Sequence, residues 1–283
     1  MWTMKKIISC LGSGLFFCVF ALPVQAESVL EKIQRTGILN VALREDAAPF
    51  GYLNANDNLQ GYCLDFFAIL EERLVEELER NTLSIKLFKS TADNRFSLVA
   101  NNAIDLECGP NTIREDVPDR VSFSQAFFVT GTQFLVNENN RDRLKLNRDL
   151  KGIRLGVIDN TTTEEFIEET YPSAIVQRFR GVIARSRGVQ AVAQGKIDAM
   201  VSEGILLRAE AQRQELSASN YPLIPETLLT CDRYGMIVSG NDPQWQEFIN
   251  SAIDSSEVVT LSRSWFGQLF TNHQVESLKC KQD

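Results

Sequence analysis

From about residue 28 onward the apolar positions of this chain form short runs that alternate with helical stripes. Ser28 caps a short helix with Leu30 and Ile33 on one face, and Gly37 stops it. Ile38 to Leu43 is the first strand, and a turn-rich segment covers Asn54 to Asn58. Gly61 to Asp65 leads into a long helix ending near Leu78, whose Phe66, Ile69, Leu70, Leu74 and Leu78 recur at helical spacing. Its opposite face is rich in glutamate and reads as solvated. Leu83 to Phe88 alternates as a second strand, Arg95 to Ala103 is a helix, and Ile104 to Cys108 is a buried third strand.

That third strand ends abruptly at Gly109-Pro110. A polar loop with Asn111, Thr112 and Arg114 follows, and the chain turns apolar again through Phe123 to Val136. Asn137 to Arg148 is charged and Asn-rich, as surface between units is. At Gly152 the alternation restarts: strand 154–158, a helix capped by the Asn160–Glu164 run and ended by Pro172, strand 174–179, a helix over 189–194, strand 197–201, and a helix opened by Glu203. Tyr234 to Val238 is a late strand, and two helices carry Trp245, Phe248 and Ile249, then Val258, Leu261, Trp265 and Phe266.

Strand–helix alternation predicts an α/β protein of two units, each a mainly parallel sheet flanked by helices. The chain crosses between them near 131–137 and returns near 232–239. The expected division is 27–133 for lobe one, 134–236 for lobe two, and 237–283 for the return and C-terminal helices. Two crossings make a hinge, with a cleft between the lobes. Ligands of open α/β sheets bind outside the carboxyl ends of strands.

Residues 1–26 stand apart: a basic start, an uncharged apolar run, then small residues Val24 and Ala26 at the positions a signal peptidase reads. They predict a secretory signal peptide cleaved after Ala26 and a periplasmic location; the run is short for a membrane span, and Ile7 to Cys10 comes too early for a lipoprotein box. No later stretch is apolar enough to span a membrane. The formal charge is −8, and cleavage would remove two lysines and make it −10. Such acidity argues against nucleic acid and anionic membranes as partners.

Four cysteines remain after cleavage: Cys63, Cys108, Cys231 and Cys280. An even number in an exported chain points to disulfides, and Cys63–Cys108 with Cys231–Cys280 is the favoured pairing, because the first pair falls near adjacent strand ends. Free buried thiols are the alternative. No metal site is expected: no two cysteines are closely spaced, and His273 is the one histidine. Nothing calls for a cofactor.

The strand ends collect the candidate chemistry. Lobe one offers Arg44, Gly109, Asn111, Thr112 and Arg114, with Phe50 and Tyr52 as apolar walls. Lobe two offers Thr161 and Thr162 at a helix start, whose free N–H groups and dipole favour an anion, and Glu203 for a cation. Cations, N–H donors and one carboxylate complement a zwitterion, of which an α-amino acid is the simplest. Each feature also has a plain structural reading: the threonines as an N-cap, Glu203 as a first-turn acid, and Arg44 paired with Glu45 or Asp46.

Taken together, these segments resemble the family 3 periplasmic solute-binding proteins of ABC amino-acid importers, especially the glutamate/aspartate-binding proteins. The resemblance rests on Leu43–Phe50, Gly61–Asp65, Phe123-Ser124 through Gly131, Asn160–Glu164, Gly195–Ala199 with Glu203, and Tyr234-Gly235. It implies a two-lobed type II periplasmic-binding-protein fold closing on a free amino acid. Thr112 and the Thr161–Thr162 turn would meet the α-carboxylate, Glu203 the ammonium, and Arg44 a side-chain carboxylate, favouring glutamate or aspartate. It also implies delivery to a membrane permease with a separate ATPase, no catalysis, and a monomer.

The sequence departs from the family at several of these places. The family's α-carboxylate arginine falls on Val117, which leaves Arg114 and Arg185 (in the loop before a lobe-two helix) as replacements. Cys63 stands for an Asp, Asn160 for a Gly, and Glu203 for the commoner Asp. The rival reading is an enzyme of the same fold, a periplasmic cyclohexadienyl (prephenate or arogenate) dehydratase, disfavoured by the lack of a nucleophile–base pair. A sensory receptor domain is a third.

Overall fold

The computed structural model describes residues 27–54 and 56–267. The expected leader, 1–26, and Cys280 lie outside them. Helix α1 (Val29–Thr36) starts with the expected Ser28 capping box and ends at Gly37 in the left-handed conformation. Strand β1 (Ile38–Arg44) runs into three short strands, β2 (Asp46–Ala47), β3 (Gly51–Leu53) and β4 (Leu59–Gln60), paired in that order as a small antiparallel sheet. Helix α2 (Tyr62–Glu77), strand β5 (Ser84–Ser90), helix α3 (Arg95–Ala100) and strands β6 (Leu106–Cys108) and β7 (Val121–Phe123) follow.

The chain then passes through β8 (Phe128–Thr130) into β9 (Thr132–Val136), and a second unit begins. It contains β10 (Arg154–Ile158), α4 (Thr162–Thr170), β11 (Ile175–Phe179), α5 (Ala184–Ala193), β12 (Ala199–Glu203), α6 (Gly204–Arg213) and β13 (Leu223–Ile224). Strand β14 (Asp232–Tyr234) returns antiparallel to β8, and β15 (Ile237–Ser239) rejoins the first sheet before α7 (Pro243–Ile253) and α8 (Ser256–Phe266).

Two five-stranded sheets result, in the orders β5-β1-β6-β15-β7 and β11-β10-β12-β9-β13. They share one plan: three parallel strands, then one strand running against them, then an edge strand antiparallel to that one. Each sheet is therefore mixed, with four of its five strands running the same way. The reversed strand in each sheet adjoins a crossing, β15 in the first and β9 in the second, because a chain that enters a sheet from the hinge side runs against its βα strands. The run read as one strand over 234–238 is in fact β14 and β15, split at Gly235-Met236 where the chain leaves the ribbon for the sheet.

The cores follow the predicted stripes. Phe66, Leu70 and Leu74 of α2 are fully buried with Leu39, Val41 and Leu106 of the first sheet, while Leu155, Val157, Ala199 and Val201 form the heart of the second unit. Each buried large side chain contributes roughly 1.5–3 kcal/mol of transfer free energy. The crossing is tight at Gly131: a Cβ there would overlap the Thr230 carbonyl oxygen of the opposing connection, which only glycine avoids.

Cys63 and Cys108 form the expected disulfide, with Cα atoms 5.7 Å apart. It joins the first turn of α2 to the end of β6, anchoring the base of the loop that carries Thr112. The other expected pair, Cys231–Cys280, reaches a residue outside those described. Among the described residues no helix is long and apolar enough to cross a membrane, and no cluster of His, Cys, Asp and Glu could hold a metal ion.

Candidate functional site

A small polar cavity lies where the carboxyl ends of both sheets face each other. Arg44, Arg95, Thr112 and Arg114 line it from the first unit; Thr161, Thr162, Arg185 and Glu203 line it from the second. Every one of these sits at or just beyond the end of a parallel strand or its connection, which is why residues far apart in sequence converge.

On the first wall, Arg44 is 3% exposed and binds Asp46 in two places, Nε to Oδ1 at 3.0 Å and Nη2 to Oδ2 at 3.1 Å. Arg95, at the start of α3, donates to the carbonyls of Ala92 and, across the cleft, Asn160 at 3.3 Å. Its Nε is buried without a partner. Burial first, and then the Arg44 charge, lower its pKa to about 10, so it stays cationic at neutral pH. Arg114 is held by Glu165 of the second unit at 3.2 Å and by Asp116 at 3.4 Å.

Behind this wall lies Glu107, fully buried on β6. It accepts from Ser90 Oγ at 2.7 Å and Asn111 Nδ2 at 2.5 Å. Burial raises its pKa against those two bonds. The Thr112 loop is fastened to the return strand: Ile113 N–H donates to the Arg233 carbonyl and Gly235 N–H to the Asn111 carbonyl.

On the second wall, Thr161 is the N-cap of α4 and accepts from Glu164 N–H at 3.3 Å. The structural role expected of the threonines is thus present, and the first-turn N–H groups still point out of the helix end. Thr162 Oγ1 lies 3.4 Å from Thr112 Oγ1, so the two walls meet here. Glu203 ends β12 and is 6% exposed; it accepts from Ser202 Oγ at 2.6 Å. Asp232 on β14 adds a second acid nearby. Burial and then the Glu203 charge push its pKa up to about 7, opposed by a bond from Thr230.

Arg185 is 1% exposed and donates to the Asp46 carbonyl and to Ser202 Oγ, each at 3.2 Å. It lies in the first turn of α5, not in the loop before it, because that helix begins at Ala184 rather than near Val189.

Four of the expected residues lie elsewhere. Phe50 is fully buried within an aromatic cluster of the first unit, edge-on to Tyr62, Phe127, Phe128 and Tyr234. Packing among rings buries more apolar area than a polar cavity could offer. Tyr52 lines a neighbouring groove of about 580 Å³, with the Arg213 guanidinium 5.0 Å above its ring. Gly109 and Asn111 stand behind the cavity: a Cβ on Gly109 would come within 3.1 Å of Glu107 Oε1, and Asn111 bonds Glu107. Arg95 was missed because a first-turn arginine reads as solvated. The strand-end rule applied to β5, as it was to β1, would have found it. Glu107 had a signal too: a carboxylate inside an otherwise apolar strand.

Two mixed α/β units, joined by two crossings and facing a charged cavity across a cleft, define a two-lobed periplasmic-type ligand-binding fold. The chain belongs to the bacterial extracellular solute-binding proteins, family 3, whose model matches residues 39–268. Relatives include the glutamate/aspartate import solute-binding protein of Salmonella typhimurium, 26% identical over 95% of this chain and 88% of the relative. The L-glutamate/L-aspartate-binding protein of Pseudomonas aeruginosa is 26% identical over 94% and 89%. Among solved structures, a mutant of ArgBP from T. maritima aligns with a TM-score of 0.71 at 25% identity, covering 84% of this chain and 99% of that one. The ancestral amino acid-binding protein AncCDT-1, a precursor of cyclohexadienyl dehydratase, shares the fold with a TM-score of 0.70 at 22% identity over 84% and 99%.

Proposed function

We propose that this protein is an exported receptor that captures an acidic L-amino acid between its lobes and delivers it to an ABC importer. One observation carries the reading: four arginines and one glutamate wall the same cavity. That set is complementary to a zwitterion bearing an extra negative charge. The ammonium goes to Glu203. The α-carboxylate goes to Thr112, Arg114 and the N-terminal turn of α4, where N–H groups and helix dipole favour an anion. The side-chain carboxylate goes to Arg95, whose Nε has no protein partner. The names of the glutamate- and aspartate-binding relatives support the same class of ligand.

In this reading, 1–26 is the cleaved leader, 27–133 and 237–283 form lobe one, and 134–236 forms lobe two. The protein acts as a monomer without catalysis, and its permease and ATPase are separate chains. The test is thermal unfolding of residues 27–283 against a panel of amino acids. A ligand at 100 times its dissociation constant stabilises the native state by about 2.7 kcal/mol. A shift with glutamate and aspartate supports the proposal, and no shift with any amino acid counts against it. Turnover of prephenate or arogenate by the same preparation would replace the receptor with an enzyme.

A further inference from the structure

Two arginines of the cavity wall, Arg44 and Arg185, are met by a carboxylate that the ligand does not bring. Asp46 is 5% exposed and lies between Arg44 of the first lobe and Arg185 of the second. Its two oxygens take Nε and Nη2 of Arg44 in a fork, and Oδ2 also stands 3.8 Å from Arg185 Nη1. The same Nη1 donates to the Asp46 backbone carbonyl at 3.2 Å. All three residues are more than nine-tenths buried.

We infer that Arg44 and Arg185 form an anion subsite across the cleft that the protein fills itself, with Asp46, and that Asp46 thereby sets ligand specificity. A planar fork facing a carboxylate is the arrangement by which arginine recognises carboxylates generally. Here the carboxylate is tethered two residues from Arg44 and is always present. An incoming ligand with an acid group must displace it or look elsewhere, and elsewhere is Arg95 and Arg114. Arg44 therefore orders the site and does not read the ligand.

The backbone explains how Asp46 reaches this place. It pairs in β2 with Tyr52 of β3, so the chain folds back directly after Arg44 and turns the side chain onto the guanidinium. The position is fixed by strand pairing, not by a mobile loop. Without the carboxylate, two buried cations would face each other. Burial, and then the Arg44 charge, already lower the pKa of Arg185.

The inference rests on the proposed function for its ligand consequence but not for the subsite itself, and the experiment separates the two. Asp46→Ala is prepared in residues 27–283, with Asp46→Ser as the smaller change should the alanine variant not fold. Thermal unfolding is followed with no amino acid present, in sodium formate and in sodium chloride at equal ionic strength. Formate is expected to raise the melting temperature of the variant more than chloride does, by several degrees beyond the excess that formate gives in the wild type, whose Arg95 and Arg114 are present in both proteins. A formate excess no larger in the variant than in the wild type would overturn the subsite. The second reading is the affinity ratio of glutamate to glutamine, expected to rise about tenfold on removal of Asp46, the worth of one added charge-assisted bond. An unchanged or lower ratio would overturn the claim on specificity. A wild type that binds no amino acid would defeat the proposed function, while the formate response would still decide the subsite.

Discussion

Asn160 Nδ2 donates to Asp93 Oδ1 at 2.6 Å, a bond that spans the cleft from one lobe to the other. Asn160 has φ of 57°, the left-handed region that favours glycine and tolerates asparagine. The position thus combines a turn conformation with a cross-lobe contact, and its carbonyl accepts from Arg95 as well. Asn160→Gly keeps the turn and deletes the side chain's two bonds, the one across the cleft and a longer one to the adjacent Asp159 at 3.3 Å. The loss expected is about 1 kcal/mol of closure, roughly fivefold in ligand affinity. Titration calorimetry checks it, and unchanged affinity would show that the bond does not favour the closed form.

Glu203 is the sharpest single test of the ligand reading. Truncating one partner of a buried charge pair costs about 2–5 kcal/mol, so Glu203→Ala is expected to weaken amino-acid binding at least about 30-fold. Circular dichroism should leave the fold unchanged, since Glu203 caps α6 without a side-chain capping bond. Glu203→Gln, which keeps the shape, should lose nearly as much. Wild-type affinity in either variant would remove this residue from the site.

Arg44 and Arg95 should part company. Arg44 lines the cavity with its guanidinium engaged by Asp46, so Arg44→Ala should weaken glutamate and glutamine to the same degree. Arg95→Ala should weaken glutamate about 10- to 100-fold more than glutamine, the scale of one charge-assisted hydrogen bond of about 1.5–3 kcal/mol. Competition of both ligands against a labelled one measures the ratio directly. The opposite pattern would return side-chain selection to Arg44.

The order of strands and helices was readable because apolar runs and stripes here are long and well punctuated. Ser28 with Gly37, the stripe of α2, and the threonine cap of α4 all fell where local rules place them. What failed was anything decided across the cleft or by reversal of direction. Nothing local distinguishes a strand that enters a sheet backwards, so β9 and β15 read like the rest. Phe50 was assigned to the cleft from its place after a strand, but ring packing in the core won. Arg44 was identified as a strand-end cation, and its competitor Asp46 was named. Only the fold-back of β2 onto β3 decided between ligand and partner. Asp232 became visible only once both lobes stood opposite each other.

Asp232 gives the hinge a pH dependence whose sign can be worked out. An aspartate titrates at 3.8 when unperturbed, and in the folded protein this one is raised to about 7 by burial and by Glu203. Between those values the native state binds the proton more tightly than the unfolded chain does. Stability therefore falls as pH rises through that window, with the penalty absent below about 4 and complete above about 7. Asp232→Asn removes the charge while keeping an oxygen to accept from Thr230. Its gain over the wild type should be negligible near pH 4, grow through pH 5 and 6, and level off above 7. Urea unfolding of both proteins across that range measures it. A constant difference at every pH would mean that Asp232 titrates alike in both states, and that the hinge carboxylates are not set against each other.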